Sequence, residues 1–307
     1  MAAAPSRPPT KVDLKLGYAC ERQCRFCVQG DLRRRFPAPV TPVELGRALR
    51  AGRRRADSVV LTGGEPTLYP YLPELIRLAR FLGYRRVQVQ SNGRRFSDPA
   101  YCRLIAAAGA DEFALSIHGS TPEVHDALTR APGSFAAVWA GIVNLLALGL
   151  PVLANTVITR ANAADLPALA AGLAAAGVRH VQLAWVHIVG AAAEDPAALV
   201  PRRDEAMPYV LRAIDAARAG GARAVTEGVP PCWLPGREDC VAESAMPQMD
   251  IYHADRSRTP DYARERREVQ KVKGPRCPAC RHFAACEGPW KEYPALFGFD
   301  EFAPVVG

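Results

Sequence analysis

Short β-branched runs alternate six times with longer Ala- and Leu-rich runs along this chain, and few architectures accommodate such an alternation. The short runs predict strands at Val12–Gly17, Ser58–Thr62, Arg86–Gln90, Glu112–Ile117, Val152–Thr159 and His180–His187. The longer runs predict helices at Thr41–Arg54, Tyr71–Leu82, Asp98–Ala108, Ser134–Leu148, Ala164–Ala176 and Asp204–Ala219. Boundary signals agree: Thr41-Pro42 and Ser134 stand at N-termini, while Gly83, Gly109, Gly149 and Gly177 follow C-termini. Strands joined through helices run parallel with the helices outside. The predicted class is therefore α/β, a partial (β/α)6 TIM-like barrel, and 307 residues leave room for an appendage. In such barrels chemistry sits on the loops beyond the strands' C-terminal ends, so a functional motif should fall just after a strand.

Past Gly220 the periodicity weakens and Pro, Cys and Gly rise. Residues 11–220 are assigned to the barrel and 221–307 to a small, loop-rich, metal-binding extension too poor in core to stand without a staple. Phe135–Ile158 carries no charge, but Gly141, Asn144, Gly149, Pro151 and Asn155 interrupt it, and a buried helix followed by a buried strand explains it better than a membrane span. Met1–Thr10 has no apolar stretch of the kind a signal peptide needs. The expectation is a soluble, cytoplasmic protein with no membrane partner. The net charge of +8 comes largely from Arg33–Arg35, Arg53–Arg55 and Arg264, Arg266 and Arg267, which are expected to form solvated faces. No aromatic residues interleave these runs as a nucleic-acid stacking surface requires, so no nucleic-acid partner is expected.

Nine cysteines without an export signal point to metal rather than disulfides. Cys102, alone on an Ala-rich helix, is read as a small buried hydrophobe. Directly after the first strand comes Cys20-Glu-Arg-Gln-Cys24-Arg-Phe-Cys27. A structural zinc site or a closed cubane takes four protein ligands. Three thiolates on a four-iron cubane leave one iron open to an outside ligand, such as the amino and carboxylate groups of S-adenosylmethionine (SAM). A zinc loop borrowing a fourth ligand is the competing reading. After the second strand, Gly63 and Gly64 allow close backbone approach and Glu65 can accept from a cationic amine.

The Cx3Cx2C loop, with Phe26 before its last cysteine, resembles that of the radical SAM superfamily. The resemblance implies a [4Fe–4S] cluster on Cys20, Cys24 and Cys27, with SAM as co-substrate, and assigns the three cysteines the catalytic role. Gly63-Gly64-Glu65-Pro66 resembles the family's GGEP motif, which contacts the SAM amino group, and Ser91-Asn92 in Gln90-Ser91-Asn92-Gly93 resembles a segment near the same ligand. Ser116 after strand four, Asn155 on strand five and Val189-Gly190 after strand six fall where relatives contact the rest of SAM. His118 and the His125-Asp126 pair invite a general-base reading, but with Thr129-Arg130 they resemble a loop-ordering segment.

Cys277-Pro-Ala-Cys280, followed by five residues and Cys286, resembles the centre of the twitch and SPASM extensions that hold auxiliary clusters in this family. No cysteine follows Cys286, and the upstream pair Cys232 and Cys240 is closely spaced, so one auxiliary [4Fe–4S] cluster is expected, on Cys232, Cys277, Cys280 and Cys286. Cys240 is the alternate ligand, and zinc is the alternate metal. Trp290 and Tyr293 are expected in the core. The implied activity is reductive SAM cleavage to a 5′-deoxyadenosyl radical that abstracts hydrogen from a peptide or small-molecule cofactor precursor. An external flavodoxin- or ferredoxin-type electron donor is the implied partner. The rival reading is a metal-stabilised binding or redox-sensing protein without SAM turnover.

Overall fold

The computed structural model describes residues 10–306, so the expectation for Met1–Thr10 lies, but for Thr10, outside the described residues. In chain order the elements are β1 (Thr10–Lys15), α1 (Leu32–Arg35), α2 (Pro42–Arg53), β2 (Ser58–Thr62), α3 (Leu72–Phe81), β3 (Arg86–Ser91), α4 (Pro99–Ala108) and β4 (Glu112–Ser116). There follow α5 (Pro122–Thr129), α6 (Ser134–Ala147), β5 (Val152–Ile158), α7 (Leu166–Ala175), β6 (His180–Trp185), α8 (Pro196–Leu199), α9 (Arg203–Ala219) and β7 (Arg223–Glu227). The chain closes with β8 (Gln248–Tyr252), β9 (Arg258–Thr259), α10 (Tyr262–Glu265) and α11 (Glu292–Phe297).

All six predicted strands and all six predicted long helices form, with ends displaced by a residue or two. Local chemistry explains several boundaries. Thr41 and Glu44 make a reciprocal capping box behind Pro42 at the start of α2. Asp98 accepts from the Ala100 amide at 2.8 Å to start α4. Asp126 on α5 accepts from the amides of Gly133 and Phe135, each at 2.7 Å, and from the Ser134 hydroxyl at 2.9 Å, so it anchors the first turn of α6.

The sheet order is β7-β6-β5-β4-β3-β2-β1-β8-β9, an open array in which only β9 runs antiparallel. Two strands lie beyond the six predicted. β7 continues the parallel β/α progression after α9, and β8 pairs parallel with β1 from Thr10↔Gln248 to Leu14↔Tyr252. The stretch after residue 220 thus supplies both flanks of the sheet as well as its cysteine-rich loops.

Register divides the sheet into two faces. Val12 and Leu14 on β1, Val59 and Leu61 on β2, and Val87 and Val89 on β3 are buried against the helices. The opposite face is mixed, with Val60, Ala114 and Val225 beside polar side chains. It carries Lys15 on β1, Gln88 on β3, Ser116 on β4, Asn155 on β5, Gln182 on β6 and Glu227 on β7. A hydrophobic outer shell therefore holds an inner surface rich in polar side chains, which opens at the strands' C-terminal ends.

The run Phe135–Ile158 is α6 followed by β5, and among the described residues no helix is long and apolar enough to cross a membrane. One expectation about charge fails. Arg266 is not solvated but 1% exposed, with its guanidinium paired to both carboxylate oxygens of Glu287 at 2.5 and 2.8 Å. Arg266 points inward, where it meets a carboxylate 21 residues downstream that spacing does not reveal.

Candidate active site and a second set of thiols

Two loops and the end of α5, each following a separate strand, converge on the Cys20–Cys27 segment. From β2, the Gly64 amide donates to the Gly17 carbonyl and the Glu65 amide to the Ala19 carbonyl, each at 2.8 Å. A Cβ on Gly63 would stand 2.4 Å from the Gly17 oxygen, and one on Gly64 would stand 2.3 Å from that of Ala19. Only glycine permits this approach. From the far side of the sheet, the Ala191 amide after β6 donates to the Cys27 carbonyl at 2.9 Å. The third contact is with α5: the amides of Gln23 and Arg25 donate to the carbonyls of Thr129 and Leu128 at 3.1 and 2.9 Å. Phe26 is buried and meets the His118 ring edge-on at 4.5 Å.

Glu65 is buried, and each of its oxygens has a fixed role. Oε1 accepts from the Thr67 amide at 3.0 Å and from the hydroxyls of Thr67 and Ser91 at 2.7 Å; Oε2 accepts from the Asn92 amide at 2.7 Å. Burial pushes this carboxyl upward against those hydrogen bonds, which favour the charged form. Asn92 in turn donates through Nδ2 to Glu21 at 2.8 Å. Pro66 opens the short turn that follows and lets Thr67 reach back. The GGEP and Ser-Asn segments are thus one hydrogen-bonded unit under the cysteine loop.

Burial raises the Cys20 thiol to about 11 and that of Cys24 to about 12, so in the cluster-free chain both keep their protons. A bound iron–sulfur group would displace those protons. His118 accepts the Val157 amide at Nδ1, and His125 accepts the His118 amide at its own Nδ1, 3.0 Å away. Burial, before the fields of neighbouring cations, holds both imidazoles neutral, His125 near 3 and His118 well below the ordinary value. With Asp126 spent on the start of α6, these residues order the loop and are not arranged as a base and its orienting acid.

Ser116 and Asn155 are paired in register on adjacent strands of the inner face. Val189 and Gly190 close the turn that touches the loop. Buried polar atoms without partners cluster around this mouth, including Asn155 Oδ1, Gln29 Oε1 and Glu21 Oε2. Such orphans are what a polar ligand would satisfy.

The C-terminal thiols divide cleanly. Burial raises Cys232 to about 12, and the thiols of Cys286, Cys277 and Cys280 add to that shift, so the four share one neighbourhood. Amides of Gly288 and Val305 donate to the sulfurs of Cys286 and Cys280 at 3.2 and 3.4 Å. Cys240 is elsewhere, fully buried, with its sulfur 2.9 Å from the Arg218 guanidinium. Cys102 is buried on α4, where its thiol donates to the Phe96 carbonyl at 3.1 Å. Among the described residues no three Cys, His, Asp or Glu side chains gather round one point as a single metal ion requires. Cys20, Cys24 and Cys27 come from one loop and Cys232, Cys277, Cys280 and Cys286 share one neighbourhood, so each set supplies the soft thiolate donors that an iron–sulfur cluster or a zinc ion takes.

Features that motif spacing does not show also meet here. Trp290 stacks on His187 at 4.1 Å, donates to the Trp185 carbonyl at 3.3 Å and lies under Lys271. Lys271 pairs with Glu243 and lies 3.7 Å from Glu287, all three side chains being buried. Tyr293 packs between Trp185, Trp233 and Phe302. The expected core roles of Trp290 and Tyr293 hold.

A model of the Radical SAM superfamily matches residues 14–183, more than half of the chain. A Probable GTP 3′,8-cyclase of Saccharolobus islandicus is 31% identical over 186 residues, 60% of this chain and 59% of that protein. The PqqA peptide cyclase of Ruegeria pomeroyi is 34% identical over 144 residues, 47% of this chain and 38% of that one. The chain thus spans about six-tenths of the length of the first relatives and less of the second. Streptococcus suis SuiB bound to S-adenosylmethionine shares the fold, with a TM-score of 0.68 and 15% identity over 97% of this chain and 76% of that one.

Proposed function

The chain belongs to the radical SAM superfamily of enzymes, and on that premise we propose that Cys20, Cys24 and Cys27 hold a [4Fe–4S] cluster whose open iron takes SAM. When bound, this pair supplies one-electron cleavage of the SAM C5′–S bond to methionine and a 5′-deoxyadenosyl radical able to take a hydrogen atom from a substrate. The observation that carries the reading is the joining of the cysteine loop to the Gly63–Pro66 turn, with the buried Glu65 carboxylate held by Thr67, Ser91 and Asn92 beside it.

The chain's own residues bind and orient. Glu65 would accept the SAM ammonium, and its own hydrogen bonds keep it from turning away. Gly63 and Gly64 let backbone approach the methionyl end. Phe26 and His118 wall the loop and exclude water. Ser116, Asn155 and Val189 would meet the ribose and adenine, where Asn155 Oδ1 lacks a partner. No side chain here needs to act as acid or base at the first step. The inner face, rich in polar side chains, suits a polar substrate, either a peptide or a small-molecule cofactor precursor, and an external flavodoxin- or ferredoxin-type protein would supply the electron. Cys232, Cys277, Cys280 and Cys286 would hold one auxiliary [4Fe–4S] cluster.

The test is 5′-deoxyadenosine formation, measured by mass spectrometry after anaerobic iron–sulfide reconstitution with SAM and dithionite. Wild type is expected to form it and Cys24→Ala is not. SAM failing to bind the reconstituted wild type would overturn the reading in favour of a metal-stabilised sensor or binding protein.

A further inference from the structure

One side chain of the first cysteine loop has no use in the scheme proposed above. Arg22 lies between Cys20 and Cys24 and is 2% exposed. Its Nη2 donates to the Ser134 carbonyl at 3.4 Å, while Nε and Nη1 are buried with no partner among the described residues. None of its three nitrogens therefore meets a carboxylate. A guanidinium does not shed its charge, and a buried unpaired ion is strongly unfavourable. The backbone on either side of Arg22 is also held. Its carbonyl accepts from Arg33 Nη1 at 2.8 Å, and the next residue is fastened to α5 through the Gln23 amide.

An anion must therefore come from outside the present set of contacts. Glu65 already accepts four hydrogen bonds, and Glu21 is held by Asn92. His118 and His125 on the neighbouring side are neutral. Arg22 is two residues from both Cys20 and Cys24, and its amide already donates to the Cys20 sulfur at 3.5 Å. A cubane on three thiolates carries net negative charge and gains one more negative charge on reduction.

We propose that Arg22 is a charge-balancing, positioning residue for the cluster at Cys20, Cys24 and Cys27. Its guanidinium favours uptake of the anionic cluster and raises the cluster's reduction potential. The proposal rests on the cluster assignment above but not on SAM turnover. The redox step it concerns is addition of one electron from an external low-potential donor to the oxidised cluster. Net charge and hydrogen bonding around the sulfurs are among the quantities that set such potentials.

The test compares wild type, Arg22→Met and Arg22→Lys, first cluster-free and then reconstituted, in the absence of SAM. Methionine keeps the length and the apolar stem; lysine restores the charge. Cluster-free Arg22→Met is expected to melt above wild type, because an unpaired charge is gone, and the loaded variant to melt below loaded wild type. In an EPR-monitored redox titration, the signal missing from Cys24→Ala marks this cluster. In Arg22→Met its reduced-to-oxidised ratio at a fixed potential should fall at least tenfold, a shift of about 59 mV for a one-electron couple. Arg22→Lys should regain most of it.

If Arg22→Met takes up no iron while Arg22→Lys does, the charge role stands; if neither takes up iron, it is overturned. Equal destabilisation of the cluster-free and loaded forms would mean a merely structural side chain. An unchanged potential, or one that shifts only after SAM is added, would also overturn the proposal, the latter by making the SAM carboxylate the partner. A wild type that loads the cluster and shows the shift but forms no 5′-deoxyadenosine would sink the functional reading alone.

Discussion

Replacing Gly190 with alanine tests whether the turn after β6 holds the first cysteine loop across the open sheet. Gly190 has φ of 61°, and a Cβ there would lie 2.4 Å from the Cys27 carbonyl oxygen and 2.6 Å from that of Val28. Both obstacles are backbone, so no side chain can move aside. The left-handed conformation alone costs a residue with a Cβ about 1–2 kcal/mol. Forced overpacking adds about 1–3 kcal/mol, and losing the bond from the Ala191 amide to the Cys27 carbonyl adds about 1 kcal/mol. Gly190→Ala should therefore destabilise the cluster-free protein by about 3–6 kcal/mol. Gly221 supplies the control, because its φ is 76° and a Cβ there would meet nothing within 4 Å. Gly221→Ala should cost only the conformational part, about 1–2 kcal/mol. Urea unfolding of both variants by circular dichroism measures the difference, and iron uptake reports whether the loop keeps its shape. Equal losses in the two variants would refute the close approach of turn and loop.

Three further outcomes are expected. His125 sits near 3 in the fold, chiefly through burial, so its contribution is fully present above about 6.5 and lost as the pH falls toward 3; one such group accounts for about 2 kcal/mol between pH 6.5 and 5. Since Asn can keep the acceptor for the His118 amide, His125→Asn should flatten the pH dependence of urea unfolding in that window, and an unchanged slope would count against a neutral buried imidazole. Lys271→Met strands the buried carboxylate of Glu243, while Glu287 keeps its pair with Arg266, and should cost about 3–5 kcal/mol, most of it recovered when Glu243→Gln is added; additive losses would deny the pairing. Iron analysis separates the C-terminal thiols: Cys232→Ala and Cys277→Ala should each lower the iron content by about half, and Cys240→Ala should leave it unchanged, since Cys240 faces Arg218 instead.

The barrel was legible because its signal repeats. Six strand–helix alternations reinforce one another, and each motif could be checked by whether it followed a strand. Cys20, Cys24, Cys27, Gly63, Gly64 and Glu65 were legible for the same reason, since residues carried on successive loops must meet at one end of a parallel sheet. β7 and β8 were not. Each has five residues, and β8 lies among prolines and cysteines with no helix leading into it, so its place beside β1 follows from tertiary pairing alone. The helix α5 was hidden because its His-Asp pair drew attention to chemistry while Thr121-Pro122 marked an ordinary helix start. Spacing also left Cys232 and Cys240 open. What separates them is the direction each faces after the turn at Pro231, toward three thiols in one case and toward Arg218 in the other. Arg266 looked like surface charge, and nothing in the sequence marked Arg22 as buried, because composition reports how many cations there are and not which are buried.

One short stretch of backbone contacts the regions of both thiol sets. Trp290 bonds to the Trp185 carbonyl at the end of β6 and stacks on His187, while a Cβ at Gly228 would meet its ring nitrogen at 2.4 Å, so the extension is fastened to the ends of β6 and β7. Only three residues beyond His187, Gly190 and Ala191 touch the Cys27 carbonyl. The segment from Trp185 to Ala191 thus carries Trp290 on one end and the first cysteine loop on the other. A cluster at Cys286, four residues before Trp290, would stiffen the same segment, because metal binding there is also folding energy. The extension therefore has a mechanical reason to accompany this loop, separate from any exchange of electrons between the two sites.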